Sequence, residues 1–269
     1  MATSRVPTIK QLAAYTTDFG SLYATCAVTV GAFVSSELFL HPRLSKQFRT
    51  DDLAINKSYV PNETITNLQC LLIAFPLPML VLSWWCLVGS DTLVQNRFLA
   101  RSHVGVAKPD WLAAKYHLYH ASCVALVLVL GFNGLLTNAL KLLISNARPD
   151  FIARCKPEDS SAPYVSAAQC TQEDKFILYE GLKSTPSGHS SFAAAGLGFL
   201  YMWQVRHTRV SRLRHIWCPV LCLLVMVSRV VDHRHHWYDV ISGCLLGMGV
   251  CALVWRSLMR EDVPTLLPL

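Results

Sequence analysis

Long apolar runs separated by short polar stretches are the feature that most constrains how this chain can fold. Windows of about 20 mostly apolar residues are long enough to cross a lipid bilayer as α-helices. Such windows predict six membrane-spanning helices, at residues 19–40, 67–88, 117–141, 190–205, 216–231 and 237–257. Only 15% of the 269 residues are charged, whereas soluble domains carry about 25%. The sequence therefore predicts an all-α, polytopic membrane protein with a single integral-membrane domain, residues 1–269.

Composition argues against two other classes of protein. The net charge of +7 does not indicate a nucleic-acid partner, because the basic residues are spread among short loops rather than concentrated in one stripe. Most of the cysteines lie singly inside apolar runs, where Cys behaves as a small hydrophobic residue. This distribution does not resemble a zinc site, and we expect no bound metal.

Helix-breaking and small residues predict details of the bundle. Pro76 and Pro78 should kink the second span, because proline removes a backbone donor and clashes with the preceding turn. Gly243 and Gly247 form a small-xxx-small pair, which favours close packing of the sixth span on a neighbour. Two loops are long, at residues 41–66 and 142–189.

Two cations follow the third predicted span, in the segment KLLISNARP. Lys141 and Arg148 are seven residues apart, so they face the same way if the helix continues, although Pro149 disfavours helix at Arg148. They are candidates for binding an anion. The alternative is a pair of basic residues that anchors the helix end at the membrane surface.

The segment STPSGHSS precedes the fourth span and predicts a helix start that binds an anion. Thr185 can cap the helix with Pro186 at its first position. The N–H groups of Ser187, Gly188 and His189 would then point out of the helix start, where the helix dipole favours an anion. His189 is placed to exchange a proton with that anion. The alternative is an ordinary capped helix with an exposed histidine.

The segment SRVVDHRHHWYD lies between the fifth and sixth spans, where ionisable groups are costly and usually functional. His235 and Asp239 are four residues apart, so on a helix they share a face and the carboxylate can orient the imidazole. Arg229 adds a positive charge. A basic interfacial loop is the alternative. Three other ionisable residues of the stretch are interpreted as supporting or loop residues: Asp232, His233 and His236.

Taken together, the three segments resemble the tripartite signature of the type-2 phosphatidic acid phosphatase family. The matching residues are Lys141, Arg148 and Pro149, then Pro186, Ser187, Gly188 and His189, then Ser228, Arg229, His235 and Asp239. The motifs that carry the resemblance lie within residues 141–239. The arrangement of six predicted spans extends the resemblance to most of the chain. The segments RPDFIARC and DHRHHWYDV look most similar to the fungal diacylglycerol pyrophosphate phosphatase branch.

The resemblance implies hydrolysis of lipid phosphates through a phosphohistidine intermediate. The implied catalytic residues are His235 as the nucleophile, His189 as the acid that protonates the leaving group and Asp239 as the residue that orients His235. The implied phosphate-binding residues are Lys141, Arg148, Ser187, Gly188 and Arg229. No cofactor is expected and activity should be Mg²⁺-independent, because these groups stabilise the phosphoryl charge and no carboxylate cluster is available for a metal.

The resemblance leaves the substrate open within one chemical class. Phosphatidic acid, diacylglycerol pyrophosphate and lysophosphatidic acid are the expected substrates, whereas sphingosine phosphate and isoprenoid diphosphate are alternatives. A six-span anion transporter is an alternative of a different class, but it would not need His189, His235 and Asp239 together. The partners expected are a lipid phosphate and the bilayer. The oligomeric state is left open.

An even number of spans places both termini on one side of the membrane and the three segments on the other. Raw counts of Lys and Arg are balanced, but the short, arginine-rich loop at 206–214 favours cytosolic termini. The site would then face an organelle lumen or the cell exterior, and which membrane holds it is left open.

Asn56 and Asn62 are candidate glycosylation acceptors on that side. Cys155 and Cys170 lie in the long polar loop there, and an oxidising compartment predicts a disulfide between them.

Overall fold

The structure is a computed structural model that describes residues 7–93, 105–158 and 163–259. Its α-helices, in chain order, are α1 Ile9–Asp18, α2 Gly20–Phe39, α3 Asn67–Ala74, α4 Pro76–Ser83, α5 Ala114–Ile144, α6 Phe151–Cys155, α7 Lys175–Gly181, α8 Gly188–His207, α9 Trp217–Val231 and α10 Trp237–Val254. Two short strands, β1 Gln47–Arg49 and β2 Tyr164–Ser166, pair antiparallel with Phe48 opposite Val165. The predicted all-α class is confirmed, since this two-stranded pair is a small addition. Both chain termini, whose side of the membrane was predicted, lie outside the described residues.

Five helical segments in the described residues are long and apolar enough to cross a membrane. They are Gly20–Phe39, Asn67–Val88, Ala114–Ile144, Arg212–Val231 and Trp237–Met259, and they correspond to five of the six predicted spans. The other predicted span corresponds to α8, which has 20 residues but a more polar composition. Since α8 is largely buried among other helices, few of its side chains need to be apolar for contact with lipid. The number six stays a prediction.

The second predicted span is interrupted as its prolines indicate. Helix α3 ends at Ala74 and α4 begins at Pro76, with Phe75 between them in a non-helical conformation. The ring of Pro76 has no N–H to donate, and a proline at the first position of a helix leaves no hydrogen bond unmade. The predicted kink is therefore confirmed as a break between two short helices.

Helix α8 forms the centre of the bundle, packed against α3, α5, α9 and α10. The predicted glycine pair on α10 accounts for part of this packing. A Cβ atom at Gly243 would lie 2.4 Å from the carbonyl oxygen of Ser187, and one at Gly247 would lie 2.2 Å from that of Ser191. Only glycine allows α10 to approach α8 so closely, and this holds the start of α10 against the start of α8.

Residues 40–66 and 145–187, which we call the loop cap, cover one end of the bundle. The β1–β2 pair joins the two parts of the loop cap. The apolar side chains of this region form a small core separate from that of the bundle: Ile55, Ala147, Phe151, Cys155, Val165, Ala167, Leu178 and Leu182. Cys155 and Cys170 form a disulfide, which confirms the predicted pairing. Residues 159–162 of this region lie outside the described residues.

Candidate active site

A cavity of about 370 Å³ lies between the bundle and the loop cap. Six of the eight residues predicted to bind phosphate or act in catalysis line it: Lys141, Arg148, Gly188, His189, Arg229 and His235. The other two, Ser187 and Asp239, are fully buried and lie behind the cavity wall. The three sequence segments, which are separated by dozens of residues, therefore do meet at one place.

Lys141 and Arg148 reach the cavity by a turn rather than by a continuous helix. Helix α5 ends at Ile144, and Ser145 adopts a left-handed conformation with φ of 45°. The helix does not continue to Arg148, as Pro149 indicated, so the condition for a shared helix face is not met. The N–H of Arg148 donates to the carbonyl of Gly181 at 2.8 Å, which fixes the backbone of Arg148 in the loop cap.

The start of α8 differs from the prediction in its cap. Ser187, not Thr185, is the N-cap residue, and its hydroxyl accepts from the N–H of Ser190. The N–H of Ser187 donates to the carbonyl of Asp239 at 2.9 Å, so it is not free for an anion. This shift of two residues leaves Pro186 outside the helix. The role of Ser187 in binding phosphate stays a prediction, since its side chain and N–H both have partners within the protein.

Gly188 is placed where a side chain would obstruct the cavity. A Cβ atom at this position would lie 3.2 Å from Nζ of Lys141, closer than most real Cβ contacts. The absence of a side chain therefore lets the ammonium group approach the start of α8. There the helix dipole and the ammonium group favour a bound anion together.

His189 and Arg229 share a partner from the loop cap. Nε2 of His189 lies 3.1 Å from the carbonyl oxygen of Ile65, and Nη1 of Arg229 donates to the same oxygen at 2.9 Å. Because a carbonyl only accepts, His189 carries a proton on Nε2 in this arrangement. The proton on Nε2 is thus directed at Ile65, and this contact holds the ring of His189 next to Arg229 at the cavity.

His235 is held by a backbone carbonyl and not by Asp239. Its Nδ1 lies 2.7 Å from the carbonyl oxygen of Ser184, so Nδ1 is the donor and the lone pair is on Nε2. Asp239 instead accepts from the backbone N–H and Nδ1 of His236, both at 2.9 Å. The predicted direct pairing is wrong because α10 begins at Trp237. His235 therefore precedes the helix, while His236 caps it and Asp239 completes a capping box.

Asp239 still acts on His235 through one intermediate residue. The hydroxyl of Ser184 donates to Asp239 at 2.6 Å, and the hydroxyl of Thr185 donates to the other carboxylate oxygen. The same Ser184 supplies the carbonyl that holds His235. Asp239 therefore fixes the segment before α8 and, through it, the tautomer and orientation of His235.

The surroundings of His235 keep it neutral. Burial lowers the pKa of His235 well below its usual 6.5, and the charges of Arg148 and Arg229 lower it further. A neutral imidazole with its lone pair on Nε2 is the form that can attack an electrophile. The cations that would bind a phosphate thus also prevent protonation of the nucleophile.

Two carboxylates that the sequence reasoning missed pair with the cations of the cavity. Glu180 of α7 lies 2.9 Å from Arg148, and Glu63 of the loop cap lies 3.0 Å from Arg229. Burial opposes ionisation of Glu180, but Arg148 and other nearby cations lower its pKa to about 2. Spacing in the sequence gave no indication of either pair, because both contacts join distant segments.

The three residues interpreted as supporting ones do position the loop between α9 and α10. Asp232 accepts from the N–H and the hydroxyl of Thr64, at 2.9 and 2.6 Å, and so ties this loop to the loop cap. His233 contacts the carbonyl of Ser58 at 3.2 Å. His236 is the N-cap of α10.

Comparisons with known proteins give matches over most of the chain. The family model described as the PAP2 superfamily matches residues 122–262. Lipid phosphate phosphatase 1 of Saccharomyces cerevisiae is 45% identical over 241 residues, which cover 86% of this chain and 86% of that protein. Diacylglycerol pyrophosphate phosphatase 1 of the same yeast is 30% identical over 224 residues, covering 79% of this chain and 71% of that protein. No solved structure matches.

Proposed function

The chain belongs to the PAP2 superfamily, and from that premise we propose that it is an integral-membrane phosphatase acting on lipid phosphates. The names of the two yeast relatives support this class of substrate. The observation that carries the proposal is the meeting of three cations and two histidines in one cavity: Lys141, Arg148, Arg229, His189 and His235. The proposed substrates are phosphatidic acid, lysophosphatidic acid and diacylglycerol pyrophosphate, which reach the cavity from the bilayer.

The cations take the role of holding and stabilising the phosphoryl group. Lys141, Arg148 and Arg229 approach the cavity from α5, the loop cap and α9, so they can surround a phosphate on several sides. The N–H groups at the start of α8 add dipoles of the same sign. Fixed positive groups of this kind lower the barrier because charge develops on the phosphoryl oxygens in the transition state.

The two histidines divide the chemistry between a nucleophile and an acid. Nε2 of His235 attacks phosphorus, and the N–P bond forms as the bond from phosphorus to the leaving oxygen breaks. His189, as the imidazolium ion next to the bound phosphate, gives a proton to that oxygen and becomes neutral. Water, losing a proton to His189, then attacks the phosphohistidine and releases inorganic phosphate. His235 is returned in its neutral form, and both histidines are ready for another cycle.

Metal independence is part of the proposal. Among the described residues, no group of three or more His, Cys, Asp or Glu side chains is placed to hold a metal ion. The carboxylates Glu63 and Glu180, which do face the cavity, are each paired with a cation. We therefore assign to protein cations the charge stabilisation that Mg²⁺ supplies in many phosphoryl-transfer enzymes.

The proposed orientation directs the site away from the cytosol, toward a lumen or the cell exterior. The Cys155–Cys170 disulfide lies in the loop cap, on the same side as the cavity, and disulfides persist in oxidising compartments. A protease added to the cytosolic face of sealed membranes should leave the loop cap intact and cleave it only after the membrane is opened. Cleavage of the loop cap in intact membranes would overturn this orientation.

Release of inorganic phosphate from phosphatidic acid by the purified full-length protein in detergent tests the function. We expect release that persists in EDTA, is inhibited by orthovanadate and is lost in His235→Ala. Orthovanadate should inhibit because it mimics five-coordinate phosphorus. A protein that releases no phosphate but moves phosphate across a vesicle membrane would be the anion transporter instead. A strict requirement for added Mg²⁺ would refute the metal-free mechanism.

A further inference from the structure

Arg234 is a cation of the cavity that the tripartite signature does not use. It directly precedes His235 in the chain, is only 3% exposed and lines the cavity. Its Nε is buried and has no hydrogen-bond partner. A buried donor without a partner is uncommon and calls for an explanation. An arginine placed in this way can still bind another anionic group.

The groups around Arg234 position its guanidinium without neutralising it fully. The ring of Tyr59 lies 4.9 Å from its Cζ, and the carbonyl of Val60 accepts from Nη2 at 2.8 Å. Asp150 is 3.6 Å from Nη1, but the same carboxylate already binds Arg154 with two hydrogen bonds, at 2.8 and 2.9 Å. Asp150 is therefore shared between two cations, and Arg234 keeps an electrostatic preference for a further anion.

Glu63 marks where that anion fits. One of its carboxylate oxygens lies 3.0 Å from Nη1 of Arg229, and the other lies 3.1 Å from Nη2 of Arg234. A single negatively charged group thus bridges an arginine of the signature and the arginine next to the nucleophile. Glu63 belongs to the loop cap and its side chain is 20% exposed, so it can move aside without breaking the bundle.

We propose that Arg229 and Arg234 form a subsite for a second phosphoryl group, which Glu63 occupies when no substrate is bound. This inference rests on the proposed function and adds a substrate preference to it. In a diphosphate lipid, the terminal phosphoryl group is held by Lys141, Arg148 and Arg229 in front of His235. The adjoining phosphoryl group displaces Glu63 and binds Arg234 by charge-assisted hydrogen bonds.

At this subsite the first step of the proposed reaction transfers the terminal phosphoryl group to His235, and water then hydrolyses the phosphohistidine as before. The bond from Nε2 of His235 to the terminal phosphorus forms, and the bond from that phosphorus to the bridging oxygen breaks. The bridging oxygen keeps the electron pair, and the lipid monophosphate leaves after His189 supplies a proton. Arg234 stabilises the charge that develops on this leaving group. A monophosphate substrate cannot use this interaction, because its leaving group is an alkoxide without phosphoryl oxygens.

The test compares kcat/KM for diacylglycerol pyrophosphate and phosphatidic acid in the same mixed micelles, with full-length protein. We expect Arg234→Gln to lower the ratio of the diphosphate to the monophosphate value by about tenfold, since it removes charge-assisted hydrogen bonds to the leaving phosphoryl group. Arg234→Lys should lower the ratio less, because it keeps the charge. Each ratio comes from one preparation, so a fraction of misfolded protein does not affect it.

Two further variants test the subsite: Glu63→Gln and an exposed control, Arg49→Gln. Glu63→Gln removes the competing charge, so inorganic pyrophosphate should become a stronger competitive inhibitor relative to inorganic phosphate, by several-fold. Arg49→Gln removes the same charge from an exposed residue of the loop cap, whose side chain is 61% exposed, and should leave the ratio unchanged.

Two outcomes would overturn the inference, and one would overturn its premise. An equal loss of both activities in Arg234→Gln would mean that Arg234 only positions His235. A ratio unchanged in both Arg234 variants would mean that the second phosphoryl group binds elsewhere. Wild-type protein that hydrolyses neither lipid would refute the proposed function itself, which is a different result from either of these.

Discussion

The helical bundle and the loop cap meet at one cavity, but they place their side chains by different means. In the bundle, Lys141 and Arg229 stand near the ends of α5 and α9, and close glycine contacts hold the start of α8 against α10. In the loop cap, Glu63 and Glu180 are placed by ion pairs with the cations they face. The bundle thus provides Lys141, Arg229 and the start of α8. The loop cap provides Arg148 and the Ser184 carbonyl that holds His235, together with two carboxylates that a substrate can displace.

This difference has a consequence for binding. The cations of an empty phosphate site repel one another, and burial makes that repulsion costly. Glu63 and Glu180 offset it in the absence of substrate, so the site does not need a bound anion to stay folded. A phosphate must compete with these carboxylates, which lowers its affinity and favours release of the product.

The largest expected effect comes from removing the nucleophile on the bundle side of the cavity. His235→Ala should lower kcat by on the order of 10³-fold or more, because no other side chain replaces the attacking nitrogen. Binding of inorganic phosphate should remain, since the three cations are unchanged. Phosphate release under single-turnover conditions and phosphate binding by calorimetry measure the two effects separately.

A neighbouring histidine provides the control. His233 lies two residues earlier and does not line the cavity, and its φ of 53° is a conformation that asparagine tolerates. His233→Asn should retain most of the activity. Near wild-type turnover in His235→Ala would show that the bundle does not supply the nucleophile.

A smaller effect is expected from Asp239, which acts through Ser184. Asp239→Asn replaces one acceptor oxygen by an amide donor, so one of the buried hydroxyl or N–H donors around it loses its acceptor. An unpaired buried donor costs about 1–3 kcal/mol, and we expect kcat to fall roughly 10- to 100-fold. Ser184→Ala should cost less, because the carbonyl that holds His235 belongs to the backbone. A larger loss in Ser184→Ala than in Asp239→Asn would contradict this order.

The pH dependence of kcat/KM tests whether the cations keep His235 neutral. The neutral form of His235 is the one that reacts, and the pKa of His235 is lowered, so the reactive form persists to lower pH. The fall of kcat/KM on the acid side, its acid limb, should therefore lie below pH 6.5. Lowering the pH from 7 to 6.5 should therefore reduce kcat/KM by less than twofold through this group. Arg148→Gln removes one of the charges responsible, and in its residual activity the acid limb should move up toward 6.5. An unmoved limb would mean that Arg148 does not set this protonation.

The sequence predicted the bundle better than the loop cap, for a physical reason. A membrane-spanning helix corresponds to a local apolar run in the sequence. Patterns among neighbouring residues therefore predicted five spans, the proline break and the glycine contact. The exception, α8, is buried by other helices, and its sequence has less need of apolar residues.

Contacts in and around the cavity depend on residues far apart in sequence, which local patterns do not encode. The Arg229–Glu63 and Arg148–Glu180 pairs could not be read from spacing. The prediction that His235 and Asp239 share a helix face was wrong, because it placed His235 inside α10, whereas α10 starts two residues after His235. The motifs predicted six of the residues that line the cavity, but neither the carboxylates that pair with them nor the atoms that form each contact.

The smallest expected effect concerns the disulfide of the loop cap. Replacing both Cys155 and Cys170 by serine removes a cross-link over a sequence separation of 15 residues, which contributes about 3 kcal/mol on the chain-entropy model. The bond lies outside the cavity, so we expect KM to rise several-fold while kcat changes little, since Arg229 belongs to α9 and the Ser184 segment that holds His235 is fixed by Asp239 of α10. Thermal unfolding should begin at a lower temperature, and a reducing agent should have the same effect on the wild type.

The matched control replaces Cys123 and Cys244, two half-buried free cysteines of the bundle, and should leave KM unchanged. A fall in kcat as large as that of Asp239→Asn would mean that the disulfide-linked part of the loop cap also positions the reacting groups.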